Sequence, residues 1–278
     1  MKTRNTVSGV STAIIRTMAS YENKIALLER QAKSEFSIKI ANSLEERKEA
    51  FHLAYQVYLG KEYVKINPDE WLVNEYDQNE STTVFIVKDK SGKIIATATL
   101  VFSDDSILPA EHIYKNEIQE IKKSGSNIVE VSRLVIDQDY RNSKEILVLL
   151  FNYMFIYGYH VKRFDSTIIQ VNPRHKDFYK KLLNFREVGE EKNCPIVQNA
   201  PAILLFLPLS FYYSEVMRQS STLQESKKDR SLYPHFINTS QESLVIHYLR
   251  KMAKPISLEE KTYFGFSESG FSRAVCVN

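Results

Sequence analysis

Cysteine is nearly absent. The 278 residues hold two, Cys194 and Cys276, too few for a disulfide framework. Neither stands in the paired Cys or His spacing of a zinc site. A reducing, cytoplasmic compartment is expected. Long apolar runs are missing as well: no stretch approaches the roughly 20 residues of a membrane-spanning helix, and the N-terminus lacks a compact signal-peptide core. Glycine and proline number eight each, which excludes a collagenous or low-complexity chain. Nor is either sign of charge in excess, with 37 Lys and Arg against 34 Asp and Glu, a net +3. Residues 1–34 carry six basic and two acidic side chains and residues 214–278 nine and seven, leaving about −3 for the middle. Nucleic-acid binding by a central domain calls for clustered Lys and Arg, so DNA and RNA partners are not expected.

What is present suits a packed core: 43% hydrophobic residues, 12% of the chain aromatic. Val7, Ile14, Met18, Tyr21, Ile25, Leu28 and Ala32 recur by threes and fours, which predicts an amphipathic helical arm over residues 1–34. Its stripe needs a cover, either its own domain, the second copy of a homodimer, or a membrane surface. Phe36, Ile38 and Ile40 alternate as a strand. Ser43 and Glu46 form a capping box before a helix ending near Gly60. Residues 60–81, with Trp71, Pro68 and Glu75-Tyr76-Asp77, show no period and predict a long functional loop. A hairpin follows from Val84 to Phe102, then a short helix over Ile113–Ile121, a strand over Ile128–Ile136 and a very apolar helix over Ile146–Tyr159. Ser166–Val171 reads as a strand, Pro173–Leu183 as a helix and Ala202–Leu207 as a last strand. These make one mixed α/β (α+β) domain over residues 35–213. Residues 214–278 form a helical and turn-rich extension, with Thr239 and Glu242 as a second capping box.

Three segments carry a resemblance. Glu130-Val131-Ser132-Arg133-Leu134-Val135-Ile136 with Asp139-Tyr140-Arg141 resembles the fourth strand and following turn of the acyl-homoserine-lactone synthases and the related N-acyl amino acid synthases. Val171-Asn172-Pro173-Arg174-His175, running through Tyr179 to Leu182 and Phe185, resembles the late helix of the GNAT acyltransferase fold. Glu75-Tyr76-Asp77, with the Arg47–Tyr58 helix before it, resembles the synthases' acceptor side. The likeness spans about residues 35–210. It implies the three-layer α/β/α GNAT fold, with a mixed, mostly antiparallel sheet splayed between strands 4 and 5. It also implies N-acyl transfer from acyl carrier protein to an amino acid.

One departure bears on the donor. GNAT acetyltransferases place a glycine-rich turn after strand four, where bare backbone N–H groups approach the coenzyme A pyrophosphate. The chain has Arg141-Asn142-Ser143-Lys144-Glu145-Ile146 there, without glycine and with an acid in the first helical turn. Acyl-phosphopantetheine on a carrier protein is therefore the expected donor, with no bound cofactor. At the tryptophan-bearing loop of the homoserine-lactone enzymes the chain has Lys61-Glu62-Tyr63-Val64, which favours an amino acid over S-adenosylmethionine as acceptor. An acyl-homoserine-lactone synthase, a CoA-dependent acetyltransferase and a catalytically silent acyl-chain or acyl-carrier sensor are the alternatives.

Amide formation from a thioester requires a neutral amine and a polarised carbonyl. Glu130, inside an apolar strand, is expected to have a raised pKa and to act as general base, or else to pair structurally with Arg133. Strict alternation puts those two on opposite faces; a bulge at Val131 or Ser132 would join them and free a backbone N–H for the carbonyl. Arg133 would then hold Glu130 or bind the acceptor carboxylate. Tyr179 falls where GNAT enzymes place a proton donor to the leaving thiolate, or it simply packs. Asp77 is a candidate for the acceptor ammonium, and Arg47 and Arg141 are candidate substrate contacts. Phe151 and Phe155, with Met154, Tyr159, Ile168 and Leu204, could line an acyl tunnel or fill the core. Lys162, Arg163, Arg174, Lys176, Lys180 and Lys181 are candidates for docking an acidic carrier protein. The six histidines lack metal-ligand spacing.

Overall fold

The computed structural model describes residues 34–221, 230–267 and 270–271. The arm expected over 1–34 lies outside the described residues. Strand β1 (Phe36–Ile40) leads into helix α1 (Leu44–Leu59), capped by Ser43, whose hydroxyl accepts from the Glu46 N–H. The Glu46 carboxylate does not close the box on Ser43. It accepts from the Asn42 N–H instead and takes Lys39 and Lys88 at 2.8 and 2.9 Å. The loop to residue 82 holds one 3-10 turn, Glu75–Gln78. Hairpin strands β2 (Thr83–Asp89) and β3 (Ile94–Phe102) precede α2 (Glu111–Lys123), β4 (Ile128–Ile136) and α3 (Lys144–Ile156). Then come β5 (Ser166–Val171), α4 (Lys176–Leu183), the short β6 (Arg186–Glu187) and β7 (Lys192–Cys194), and β8 (Ala200–Pro208). Helices α5 (Leu209–Ser221), α6 (Thr239–Met252) and α7 (Leu258–Tyr263) follow. The cap of α6 is Asn238, not Thr239: its side chain accepts from the Gln241 N–H, while Glu242 turns inward to the Tyr212 hydroxyl.

The eight-stranded sheet runs β1-β2-β3-β4-β5-β8-β6, with β7 also on β8, and every pair is antiparallel except β4–β5. That parallel pair is joined through α3, the crossover that parallel neighbours require. Alternation on β2 sorts the layers. Val84 and Ile86 pack with Phe51 of α1, and Phe85 and Val87 with the apolar side of α3. The result is the three-layer α/β/α arrangement. Residues 230–256 pack into the same core: Leu232, Tyr233, Phe236, Ile237, Val245 and Leu249 are all buried. Three polar contacts fix this segment: Tyr233 Oη donates to the Leu183 carbonyl at 2.7 Å, the Leu232 N–H to the Leu182 carbonyl at 2.8 Å, and the Ile237 N–H to Asn152 Oδ1 at 2.9 Å. Among the described residues no helix is long and apolar enough to cross a membrane.

The middle of the sheet is open. Strands β4 and β5 pair from Ile128↔Ser166 to Val131↔Ile169 and then separate, although both continue. On its other side β4 carries a bulge. Thr99 opposes Ser132 and Thr97 opposes Val135, so Arg133 and Leu134 together face one residue, and Arg133 has φ +47°.

Candidate active site

The splay opens a cleft of about 690 Å³, within the range of small-molecule sites. Its floor is Glu130 to Val135 of β4 and Ile169 to Asn172 at the end of β5. The long loop gives one wall (Tyr63, Trp71, Leu72, Tyr76), and Cys194, Val197 and Ala202 give another.

Glu130 lies at the bottom, 2% exposed, with one carboxylate oxygen accepting the Ala110 N–H at 2.9 Å. Burial raises its pKa to about 8; the nearby Glu111 adds to the rise, and the Ala110 hydrogen bond opposes it. A carboxyl that releases its proton near neutrality is matched to an amine acceptor. Next to it Ser132 Oγ lies 3.2 Å from the Tyr76 hydroxyl, which also accepts from Asn74 Nδ2 at 3.0 Å. Tyr179 lines the same cleft, and burial pushes its phenol well above the ordinary value. The Tyr58 phenol, also in the cleft, is raised to about 12 by burial.

Arg133 corrects the expected pairing. The bulge falls at Arg133 and Leu134, later than the sequence suggested. It still brings the guanidinium to the Glu130 face, because Arg133 Nη2 reaches Thr99 Oγ1 at 2.9 Å, and Thr99 shares a face with its register partner Ser132. The charge is taken by Asp77, not Glu130. Arg133 forks onto both Asp77 oxygens, one at 2.7 Å, and Nη1 also donates to the Leu72 carbonyl at 2.8 Å. The Phe51 and Tyr76 rings flank it at 4.9 and 5.1 Å. Asp77 is thereby committed to Arg133 and not open to an acceptor ammonium. Likewise the guanidinium is not free for an acceptor carboxylate. The pair pins the 3-10 turn of the loop to the floor.

Four other expected site residues lie elsewhere. Arg47 is buried on α1 and donates to Glu260 of α7 at 2.9 Å and to the Lys254 carbonyl at 3.2 Å, bordering a separate small cavity. Phe151 and Phe155 sit on the core side of α3. Phe151 backs the Tyr179 ring edge-on at 6.0 Å, and Phe155 packs on Tyr212 at 5.1 Å. The apolar walls of the cleft come instead from Val131, Val135, Ile169, Ile196 and Val197. Arg141 is exposed on the turn after β4 and does not line the cleft. The basic candidates also divide. Lys176 and Lys180 are drawn to Glu187 and Lys181 to Asp177. Lys162 and Arg163 precede β5 and so lie at the end of the sheet away from the splay. Missed from the sequence were Lys61 and His175, which line the cleft. Their only signal was position, one just after α1 and the other beside Pro173.

Comparison with known proteins agrees with this geometry. A family profile described as N-acyl amino acid synthase FeeM matches residues 49–208. The solved structure of FeeM, an N-acyl amino acid synthase from uncultured soil microbes, superposes with a TM-score of 0.55 at 23% identity, covering 68% of this chain and 96% of that one. The acyl-homoserine-lactone synthase LasI gives 0.48 at 14% identity over 63% and 91% of the two chains. An acyl-CoA N-acyltransferase from Pseudomonas aeruginosa gives 0.44 at 14% over 62% and 97%. No curated protein sequence matches the chain. The chain shares the fold of FeeM, and the profile covers more than half of its length: this protein is an acyltransferase of the N-acyl amino acid synthase family.

Proposed function

We propose that the protein moves a fatty acyl chain from the phosphopantetheine of acyl carrier protein to the amine of an amino acid. The observation that carries the reaction is the cleft itself, where an ionisable carboxyl tuned to about 8 lies under two strands with unpaired edges. An extended pantetheine arm has amides that can pair with such edges. Glu130 takes one proton from the incoming ammonium and releases it to solvent, the neutral amine attacks the thioester carbonyl, and Glu130 takes the second N–H proton as the C–S bond breaks and the thiolate leaves. Tyr179 hydrogen-bonds the departing sulfur. Its raised pKa lies above that of a thiol, about 8.5, so it steadies the thiolate without surrendering its proton.

Support for a carrier-protein donor comes from the start of α3. Ser143 fills the cap by accepting from the Ile146 N–H at 3.4 Å, and the first-turn acid Glu145 accepts from Ser34 at 2.6 Å. A pyrophosphate there would meet an occupied cap and a carboxylate. Acyl-carrier protein should exceed the matching acyl-CoA by at least about tenfold in kcat/KM, roughly 1.4 kcal/mol of transition-state stabilisation. Mass spectrometry of products formed from either donor with a mixture of amino acids tests both halves: the acceptor names itself in the product mass, and equal use of acyl-CoA would overturn the donor assignment.

A further inference from the structure

Lys61 and His175 line the cleft, and Arg174, next to His175, joins Lys61 as a second cation without an anionic partner. Lys61 follows α1, while Arg174 and His175 belong to the turn between β5 and α4. Arg174 Nη2 donates to the Tyr63 hydroxyl at 3.3 Å and its Nε to His175 Nε2 at 3.1 Å, which ties the two segments across the opening. Among the described residues neither Lys61 nor Arg174 has a carboxylate within ion-pair distance. Burial, and then the proximity of Arg174, lower the Lys61 pKa; burial, Arg174 and Lys61 lower that of His175, whose Nε2 accepts from Arg174 and carries no proton. Like charges held together at a cleft rim form a seat for an anion.

Two anions enter this reaction, and chemistry decides between them. The carboxylate of an amino acid acceptor is two bonds from its amine and must lie beside Glu130, which is 2% exposed. The phosphoester of a pantetheine arm is at the opposite end of the arm from the thioester. It stays at the opening while the sulfur reaches the floor, and Lys61, Arg174 and His175 are exposed there. Asn172 and Tyr179 line the cleft along the same β5–α4 segment. We infer that Lys61, Arg174 and His175 form the binding site for the donor's 4′-phosphopantetheine phosphoester, replacing the missing backbone seat at the start of α3. This rests on the acyl-transfer reading of the cleft.

Trp71 lines the cleft and is the only tryptophan in the chain, so its fluorescence reports occupancy without turnover. Titrating the full-length protein with 4′-phosphopantetheine and with pantetheine, which lacks the phosphate, should give about tenfold tighter binding of the former. In Lys61→Ala/Arg174→Ala, both exposed positions, the two probes should bind alike and pantetheine should bind as in the unaltered protein. Equal affinities in the unaltered protein, or an unchanged ratio in the double variant, would overturn the site. Coenzyme A and holo-carrier protein titrated in parallel identify the natural source as the one whose affinity the double variant loses. Absence of any N-acyl product would instead strike the reaction, a separate result from this binding ratio.

Discussion

Glu130 combines an interior address with a titration near neutrality, and both have measurable effects. In the proposed role of general base it must be ionised, so kcat/KM should climb as the pH rises toward about 8 and level off above it. Glu130→Gln keeps the shape and the Ala110 contact but removes the proton acceptor; turnover should fall roughly 10²–10⁴-fold and the climb with pH should vanish. Stability moves oppositely. The folded pKa is raised from 4.5 to about 8, so between those values the unfolded chain is ionised while the folded one holds its proton. Stability is therefore full below about 4.5 and is lost as the pH rises through 8. The Gln variant escapes this loss, and its Tm advantage should widen from about pH 5 to pH 8. A constant Tm difference across that range would show that Glu130 does not titrate there.

At the scale of elements, Arg47 shows what a helical pattern conveys. Its place on α1 was readable from the capping serine and the apolar spacing, but its partner was not, since Glu260 lies 213 residues away on a six-residue helix without a strong periodic signature. The same limit applies to Phe151 and Phe155. Periodicity marks them as buried without saying whether a cleft or a core buries them. By contrast Glu130, Ser132, Arg133 and Tyr179 all line the cleft, with Asp77 held behind it by Arg133, because their assignment rested on a motif tied to one strand, its neighbours and its loop. The bulge was foreseen but misplaced, since nothing in Val131-Ser132-Arg133-Leu134 marks which residue takes the left-handed backbone. Glu260→Ala tests the structural reading of Arg47. Breaking a buried pair leaves an uncompensated charge, and the loss should be about 3–5 kcal/mol in chemical denaturation. Activity of the variant, assayed well below its Tm, should remain near normal; selective loss of affinity for the acceptor would return Arg47 to the site.

For the whole molecule, the central strands and their order were legible from alternation and turns, while β6, β7, α5 and α7 were not. The strands are two and three residues long, and α5 starts directly from the apolar run of β8, leaving no polar gap to mark the change. Residues 214–278 read from the sequence as an extension to the 35–213 domain, and the aromatic and aliphatic residues of its described part complete the layer over α3. Tyr233 and Phe236 meet at 5.3 Å and connect through Tyr212 to Phe155. A chain ending at residue 221 should therefore expose this layer, bind a hydrophobic dye and lose its cooperative thermal transition; retention of a sharp transition would make the segment an independent appendage.

The four register pairs that join β4 to β5 act as the pivot of a clothes-peg. On one side of it are β1 to β4, held by continuous pairing, and on the other β5 with β8 and its short companions. Below the pivot the two jaws are fastened, and above it they share no backbone bonds, so the gap between them can widen without costing a single ladder bond. The strap across the open jaws is Arg174 on Tyr63, one exposed contact at 3.3 Å. The sheet thus stores its compliance in one place, at the cleft, where the partners of an acyl transfer have to come in and the product go out.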